Sequence, residues 1–261
     1  MLRPRIIPCL LVQQGGLVKT QGFKDPKYVG DPINAVKIFN EKESDELIVL
    51  DIDATVLGRE PDFGLIAKLA AECRMPLCYG GGVKTADQAA RIVDLGVEKV
   101  AVSAAAITNP ALLTAMASAV GRQSVVAVVD VRKKSGLFAK GYEVYTHNAK
   151  VAHKLDPLVL AKQLQDAGAG EIVINSVDRD GFMQGYDLDL ASQFRAVLKV
   201  PMTLLGGAGS LEHMGQLVSE LGVVGAAAGS LFVFKGKYRA VLINYPTPAQ
   251  KIQLCRAALK I

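Results

Sequence analysis

The chain repeats one construction at half its length. Residues 76–82 run Pro76-Leu77-Cys78-Tyr79-Gly80-Gly81-Gly82, and residues 201–209 run Pro201-Met202-Thr203-Leu204-Leu205-Gly206-Gly207-Ala208-Gly209. About twenty residues beyond each glycine cluster comes a second small-residue turn, Val102-Ser103-Ala104 in the first half and Ala228-Gly229-Ser230 in the second. A duplicated unit of strand, glycine turn, helix, strand and small turn predicts two half-barrels closed on each other. It also predicts two phosphate-sized holes, because small residues let a ligand approach backbone N–H groups closely.

The rest of the chain keeps the same beat. Short β-branched runs fall at residues 5–12, 47–52, 76–79, 99–102, 125–131, 171–175, 201–205 and 225–228. They are nearly continuous in apolar character, as parallel strands buried on both faces should be. Amphipathic helical patterns fill the gaps at 32–43, 63–73, 86–95, 110–119, 156–167, 188–198, 211–221 and 247–259. Asp31 before Pro32, Thr85 and Ser210 supply N-terminal stops; Gly96, Gly168 and Gly222 lie just past helix ends. Eight such units predict a single α/β domain over residues 1–261, a (βα)8 barrel. A doubly wound open sheet would need a central switch point and a GxGxxG fingerprint, and neither is apparent.

Two segments exceed ordinary loops. Residues 131–147 alternate and carry glycines, which predicts a hairpin inserted after the fifth strand, over the C-terminal mouth. Residues 15–30, after the first strand, form a second candidate lid.

Half the residues (50%) are apolar and the net charge is +5, enough for a large core and too mild a basic excess to point to nucleic acid. The four cysteines lack metal or CxxC spacing, so neither zinc nor a disulfide framework is expected, and a reducing compartment is. His147, His153 and His213 read as surface or loop residues without metal-ligand clustering. No stretch is long enough for a membrane span, and the first strand does not resemble a signal peptide, so a cytoplasmic protein is expected. No metal or organic cofactor is implied.

Carboxylates gather where strands end. Asp51 and Asp53 close the second strand, Asp130 the fifth, and Asp178 and Asp180 follow the sixth. In a barrel these positions orient or transform substrate. Aligning the halves pairs Asp51 with Asp178, and Asp130 with Leu11.

The stretches Arg5-Ile6-Ile7-Pro8-Cys9-Leu10, Gly30-Asp31-Pro32, Leu50-Asp51-Ile52, Gly80-Gly81-Gly82, Gly168-Ala169-Gly170-Glu171-Ile172, Asp178-Arg179-Asp180-Gly181 and Gly206-Gly207-Ala208-Gly209 run nearly end to end. On them the chain resembles the cyclase subunit of imidazole glycerol phosphate synthase, and less closely its sister, the aminoimidazole carboxamide ribotide isomerase. The resemblance implies a barrel of the ribulose-phosphate-binding type. It implies a bisphosphorylated small-molecule substrate across the mouth, and ammonia arriving from a glutaminase subunit docked at the N-terminal face. It implies catalysis by Asp130. Phosphate or substrate binding falls to Lys19, Asp51, Gly81, Gly82, Ser103, Ala104, Asp180, Gly181, Gly206, Gly207, Gly229 and Ser230. A ring of alternating charge, Arg5, Glu46, Lys99 and Glu171, would form the ammonia inlet.

The chain departs from that family at two places. The end of the first strand carries Leu11 where the family has a second catalytic acid, and Ser103-Ala104 stands where it usually offers an amide and a hydroxyl. An intact inlet with one acid missing resembles a divergent branch that helps convert acetamido to acetamidino sugars in lipopolysaccharide and O-antigen synthesis, beside a sugar amidotransferase. That reading is favoured here. The alternatives are a cyclase (lyase) subunit in histidine biosynthesis and a non-catalytic scaffold that activates a glutaminase.

Overall fold

Register closes eight parallel strands into a ring. They are β1 (Arg5–Gln13), β2 (Leu47–Asp51), β3 (Leu77–Gly80), β4 (Lys99–Val102), β5 (Val125–Lys133), β6 (Glu171–Ser176), β7 (Met202–Leu205) and β8 (Gly225–Ala228). Each pairs with the next: Leu11 opposes Leu50, Ile48 opposes Cys78, Tyr79 opposes Val100 and Ala101 opposes Val126. Asp130 then opposes Asn175, Val173 opposes Thr203, and Leu204 opposes Ala226. Pairing of Ile6 with Ala226 joins the last strand to the first. The expected closed (βα)8 barrel is the fold. This computed structural model describes residues 3–136 and 140–259.

The intervening helices are α1 (Pro32–Glu41), α2 (Phe63–Glu72), α3 (Ala86–Asp94), α4 (Ala111–Val120), α5 (Pro157–Asp166), α6 (Leu188–Val197), α7 (Leu211–Leu221) and α8 (Pro248–Leu259). Their starts are chemically marked. Asp31, Asp62, Thr85, Asp156, Asp187 and Ser210 each accept a first-turn N–H, and Thr85 forms a reciprocal box with Gln88. Phe39, Ile66, Ile92, Met116, Leu164, Phe194 and Leu217 bury their side chains against the outward faces of the strands. Inside the ring lies a separate apolar cluster that includes Ile7, Cys9, Ile48, Cys78, Val126, Val173 and Ala227.

Both long loops contribute strands. Gly16–Gln21 turns back on β1, with Leu11 opposite Val18, and pairs in turn with Lys24–Gly30. Tyr142–Thr146 turns back on β5, with Asp130 opposite Tyr145, and Val151–His153 adds a third strand. The expected insertion at 131–147 therefore has both arms paired; residues 137–139 lie outside the described residues. Two short helices, Ala104–Thr108 and Ser230–Val233, follow β4 and β8 at the small-residue turns. Among the described residues, no helix is long and apolar enough to cross a membrane.

Candidate active site

The C-terminal ends of the strands enclose a cavity of about 530 Å³. Lys19, Asp51, Gly81, Gly82, Ser103, Ala104, Asp130, Asp180, Gly181, Gly206, Gly207, Gly229 and Ser230 all line it. The four residues of the expected inlet do not; they lie at the opposite end of the barrel.

On one side the turn after β3 meets the turn after β4. On the other, the turn after β7 meets the turn after β8. Gly207 sits at φ +109°, and a Cβ there would fall 2.2 Å from the Gly185 carbonyl oxygen, whose own N–H donates to Gly207 O at 2.8 Å. The backbone in this turn is thus packed against backbone and cannot yield. We expect Gly207→Ala to destabilise the fold by about 1–3 kcal/mol, read as a lowered urea midpoint. At Gly229 a Cβ would lie 2.6 Å from the Lys19 Nζ. The lysine amine therefore stands directly against the turn after β8. Lys19 is buried and donates to Cys9 O at 2.6 Å; burial lowers its pKa, opposed by Asp180.

Asp130 ends the apolar interior of β5 and faces the cavity. Burial raises its pKa from 3.8 to about 7, with Asp180 adding to the rise. Asn175, its neighbour on β6, donates Nδ2 to Asp130 Oδ1 at 3.0 Å and opposes the shift. The Asn175 Oδ1 is itself buried without a donor among the described residues. With its pKa at about 7, the carboxyl is poised to exist in either state near neutral pH.

The other acids differ. Asp51 Oδ1 accepts from the N–H groups of Asp53 and Ala54 at 2.9 and 3.1 Å, so it shapes the turn after β2. Asp180 accepts from the Thr20 hydroxyl at 2.7 Å and from Phe23 N, tying the turn after β6 to the first hairpin. Asp178 anchors the other hairpin by accepting from Lys133 N at 2.7 Å. Leu11 lines the cavity as an apolar side chain. The Ser103 hydroxyl is buried with no partner among the described residues.

Several lining residues were not anticipated: Asn175, Thr20, Phe23, Thr108, Asn109, Asn148 and His147. Of the three histidines, His147 lies in a turn, as a loop residue should, and it also lines the cavity, because the arm at 142–146 carries it back over the mouth. His153 lies in a paired strand, and His213 lies on α7, where its Nδ1 accepts from Gly209 N at 3.1 Å. Among the described residues no cluster of potential metal ligands occurs.

At the far end, Arg5, Glu46, Lys99 and Glu171 close a ring. Arg5 bridges Glu46 and reaches Glu171 at 2.6 Å; Lys99 reaches Glu46 at 2.8 Å and Glu171 at 2.9 Å. Each cation touches both anions, which offsets the cost of taking four charges from water. Burial alone would raise the Glu171 pKa, yet Arg5 and Lys99 hold it at about 2. Between ring and cavity the barrel interior is apolar, and its thiols stay neutral: burial pushes Cys9 up to about 12 and raises Cys78 as well.

The histidine biosynthesis protein family matches residues 5–239. A Vibrio vulnificus protein named "Putative imidazole glycerol phosphate synthase subunit hisF3" is 58% identical over 251 residues, 96% of each chain. A Leptospira borgpetersenii protein named "Putative imidazole glycerol phosphate synthase subunit HisF" is 55% identical, covering 96% of this chain and 98% of its own. The "Imidazole glycerol phosphate synthase subunit HisF" of Hyphomonas neptunium is 37% identical over 97% of this chain and 100% of its own.

Proposed function

This chain belongs to the histidine biosynthesis protein family, and on that premise we propose that it is an ammonia-using synthase subunit of the imidazole glycerol phosphate synthase type. One observation carries the reading. A four-charge ring, an apolar column and a cavity holding Asp130 follow one another along the barrel axis. Ammonia is neutral and can pass an apolar column, whereas ammonium would have to shed its hydration there. A glutaminase subunit at the N-terminal face would supply it through the ring of Arg5, Glu46, Lys99 and Glu171.

The acceptor is a small molecule with a phosphate at each end. Gly81, Gly82, Ser103 and Ala104 hold one phosphate; Gly206, Gly207, Gly229 and Ser230, with Lys19, hold the other. Asp180 and Gly181 close that side, and Asp51 sets the turn beneath the first. Asp130 takes and returns protons during amination and ring closure. The barrel acts as one domain with the hairpin at 131–147 as a lid, in the cytoplasm, without metal, organic cofactor, nucleic acid or membrane.

A second reading, ammonia delivery to a sugar amidotransferase for acetamidino-sugar formation, is favoured by a single feature, the apolar Leu11 in the cavity. The names of the relatives support the first reading and are silent on sugars. The two separate in an assay of ammonia-dependent turnover of the bisphosphorylated ribonucleotide used by imidazole glycerol phosphate synthase. The protein as it stands should turn it over, and Leu11→Asp should raise the rate by about 10-fold or more, as a restored acid would. No turnover by either protein sinks the first reading.

A further inference from the structure

Of the three aspartates that line the cavity, Asp51 and Asp180 are engaged in shaping their turns, which leaves Asp130 to exchange protons, and the hairpin after β5 brings another proton-carrying group to it. We propose that His147, Thr146 and His153 form a proton relay that carries protons between solvent and the cavity, working beside Asp130. The proposal rests on the synthase reading above for its reaction, but its geometry stands alone.

The antiparallel register builds the array. Val144 opposes His153 and Thr146 opposes Val151, so Thr146 and His153 share one face as diagonal neighbours. The Thr146 hydroxyl is buried, with His153 Nε2 at 2.8 Å and His147 Nδ1 at 2.9 Å. His147 lines the cavity, while His153 is partly exposed. Past Thr146 the chain takes three consecutive left-handed residues, His147, Asn148 and Ala149, at φ 54°, 55° and 56°. Asn148 Nδ2 fixes this turn by donating to Ile52 O at 2.9 Å, across the mouth at the end of β2. The imidazole is thereby held at the cavity by a bond to a different strand.

One hydroxyl has one proton. If the Thr146 hydroxyl donates to His147 Nδ1, then His153 Nε2 must carry hydrogen and donate to Thr146. In that state His147 Nε2 bears the proton that the relay hands to a molecule in the cavity. When that proton leaves, the Thr146 proton moves to His147 Nδ1 and the His153 Nε2 proton moves to Thr146. His153 Nδ1 then takes a proton from hydronium or a buffer acid, which departs as water or the conjugate base. One proton has entered the cavity from solvent, every heavy atom keeps its bonds, and no ring passes through an anion. The reverse sequence withdraws a proton. Imidazole is the side chain suited to exchange in both directions near neutral pH.

The test uses the full chain with ammonia and the bisphosphorylated ribonucleotide. His147→Asn and Thr146→Val should each lower kcat by about 10²-fold or more with KM little changed, whereas Thr146→Ser stays within about threefold of the parent. Free imidazole should restore turnover to His147→Ala. Retention of turnover by His147→Asn, or equal loss in Thr146→Ser and Thr146→Val, overturns the relay. A second arm needs no substrate: nitrogen NMR of the resting protein, at a pH where both rings are neutral, should find hydrogen on just one of the two nitrogens that face Thr146. Hydrogen on both, or on neither, also overturns it. A parent protein that fails to turn over the ribonucleotide counts against the synthase reading alone, and the NMR result then decides the relay.

Discussion

Asp130→Asn removes ammonia-dependent turnover, by about 10²–10⁴-fold, while the barrel stays folded. The amide is nearly isosteric and can keep the contact with Asn175, its carbonyl oxygen accepting from Nδ2 as the carboxylate does. What it cannot do is exchange a proton. Stability moves the opposite way. Burial raises the Asp130 pKa to about 7 from 3.8, so folding favours the protonated acid. That contribution is fully present below about pH 4 and is lost as pH rises through 7. The Asn variant should therefore match the parent at pH 4 and exceed it by about 1–3 kcal/mol at pH 9, since water in the cavity relieves part of the burial cost. An active Asn variant would refute the role assigned to this acid.

The largest stability effect should come from the other end of the barrel. Glu171→Gln should cost about 3–5 kcal/mol, read from urea unfolding, because the buried carboxylate is lost and Arg5 and Lys99, both partly buried, each lose an anion. Thr203 also loses its acceptor, at 2.6 Å. Here the pH dependence has the reverse sign. Burial opposes the charge on Glu171, but Arg5 and Lys99 outweigh it and hold the pKa at about 2, below the ordinary 4.5. Its contribution is present above pH 4.5 and is lost as pH falls through 2. The same barrel thus holds one acid that favours low pH and one that forbids it. A melting profile that falls at both extremes in the parent, flattens on the alkaline side in Asp130→Asn and flattens on the acid side in Glu171→Gln would separate them.

Most of the architecture was legible in the residues. The eight runs at strand spacing become β1 to β8 with shifts of one or two residues at their ends. Parallel strands buried on both faces write themselves as unbroken apolar runs, and capping residues mark where helices start. The glycine turns and strand-end acids were legible for the same reason: barrel topology assigns every strand end to the mouth. Residues 15–30 were read as a candidate lid without strands, because Lys24–Gly30 is polar and mostly exposed, so burial imposes little alternation on it. Asn175 was hidden inside an apolar run, and its meaning appears only when β6 closes beside β5. The relation of His147 to His153 was hidden too, since it depends on the register of two short strands and on a left-handed turn at non-glycine residues. Such turns have weak residue preferences outside glycine and asparagine.

The first hairpin has a consequence for traffic through the mouth. Its inner arm is laddered to β1 from Leu11 to Gln13, and Lys19 pins it to Cys9 from beneath. A flap swings about a slack base; this one has a spliced base and behaves as a cantilever. Clearing a path for a bulky molecule means unzipping ladder bonds from the tip inward, together with withdrawal of the Lys19 tether. Any movement of this arm would carry Lys19 away from Cys9 and Gly229, so the hairpin's base and the turn after β8 are mechanically coupled.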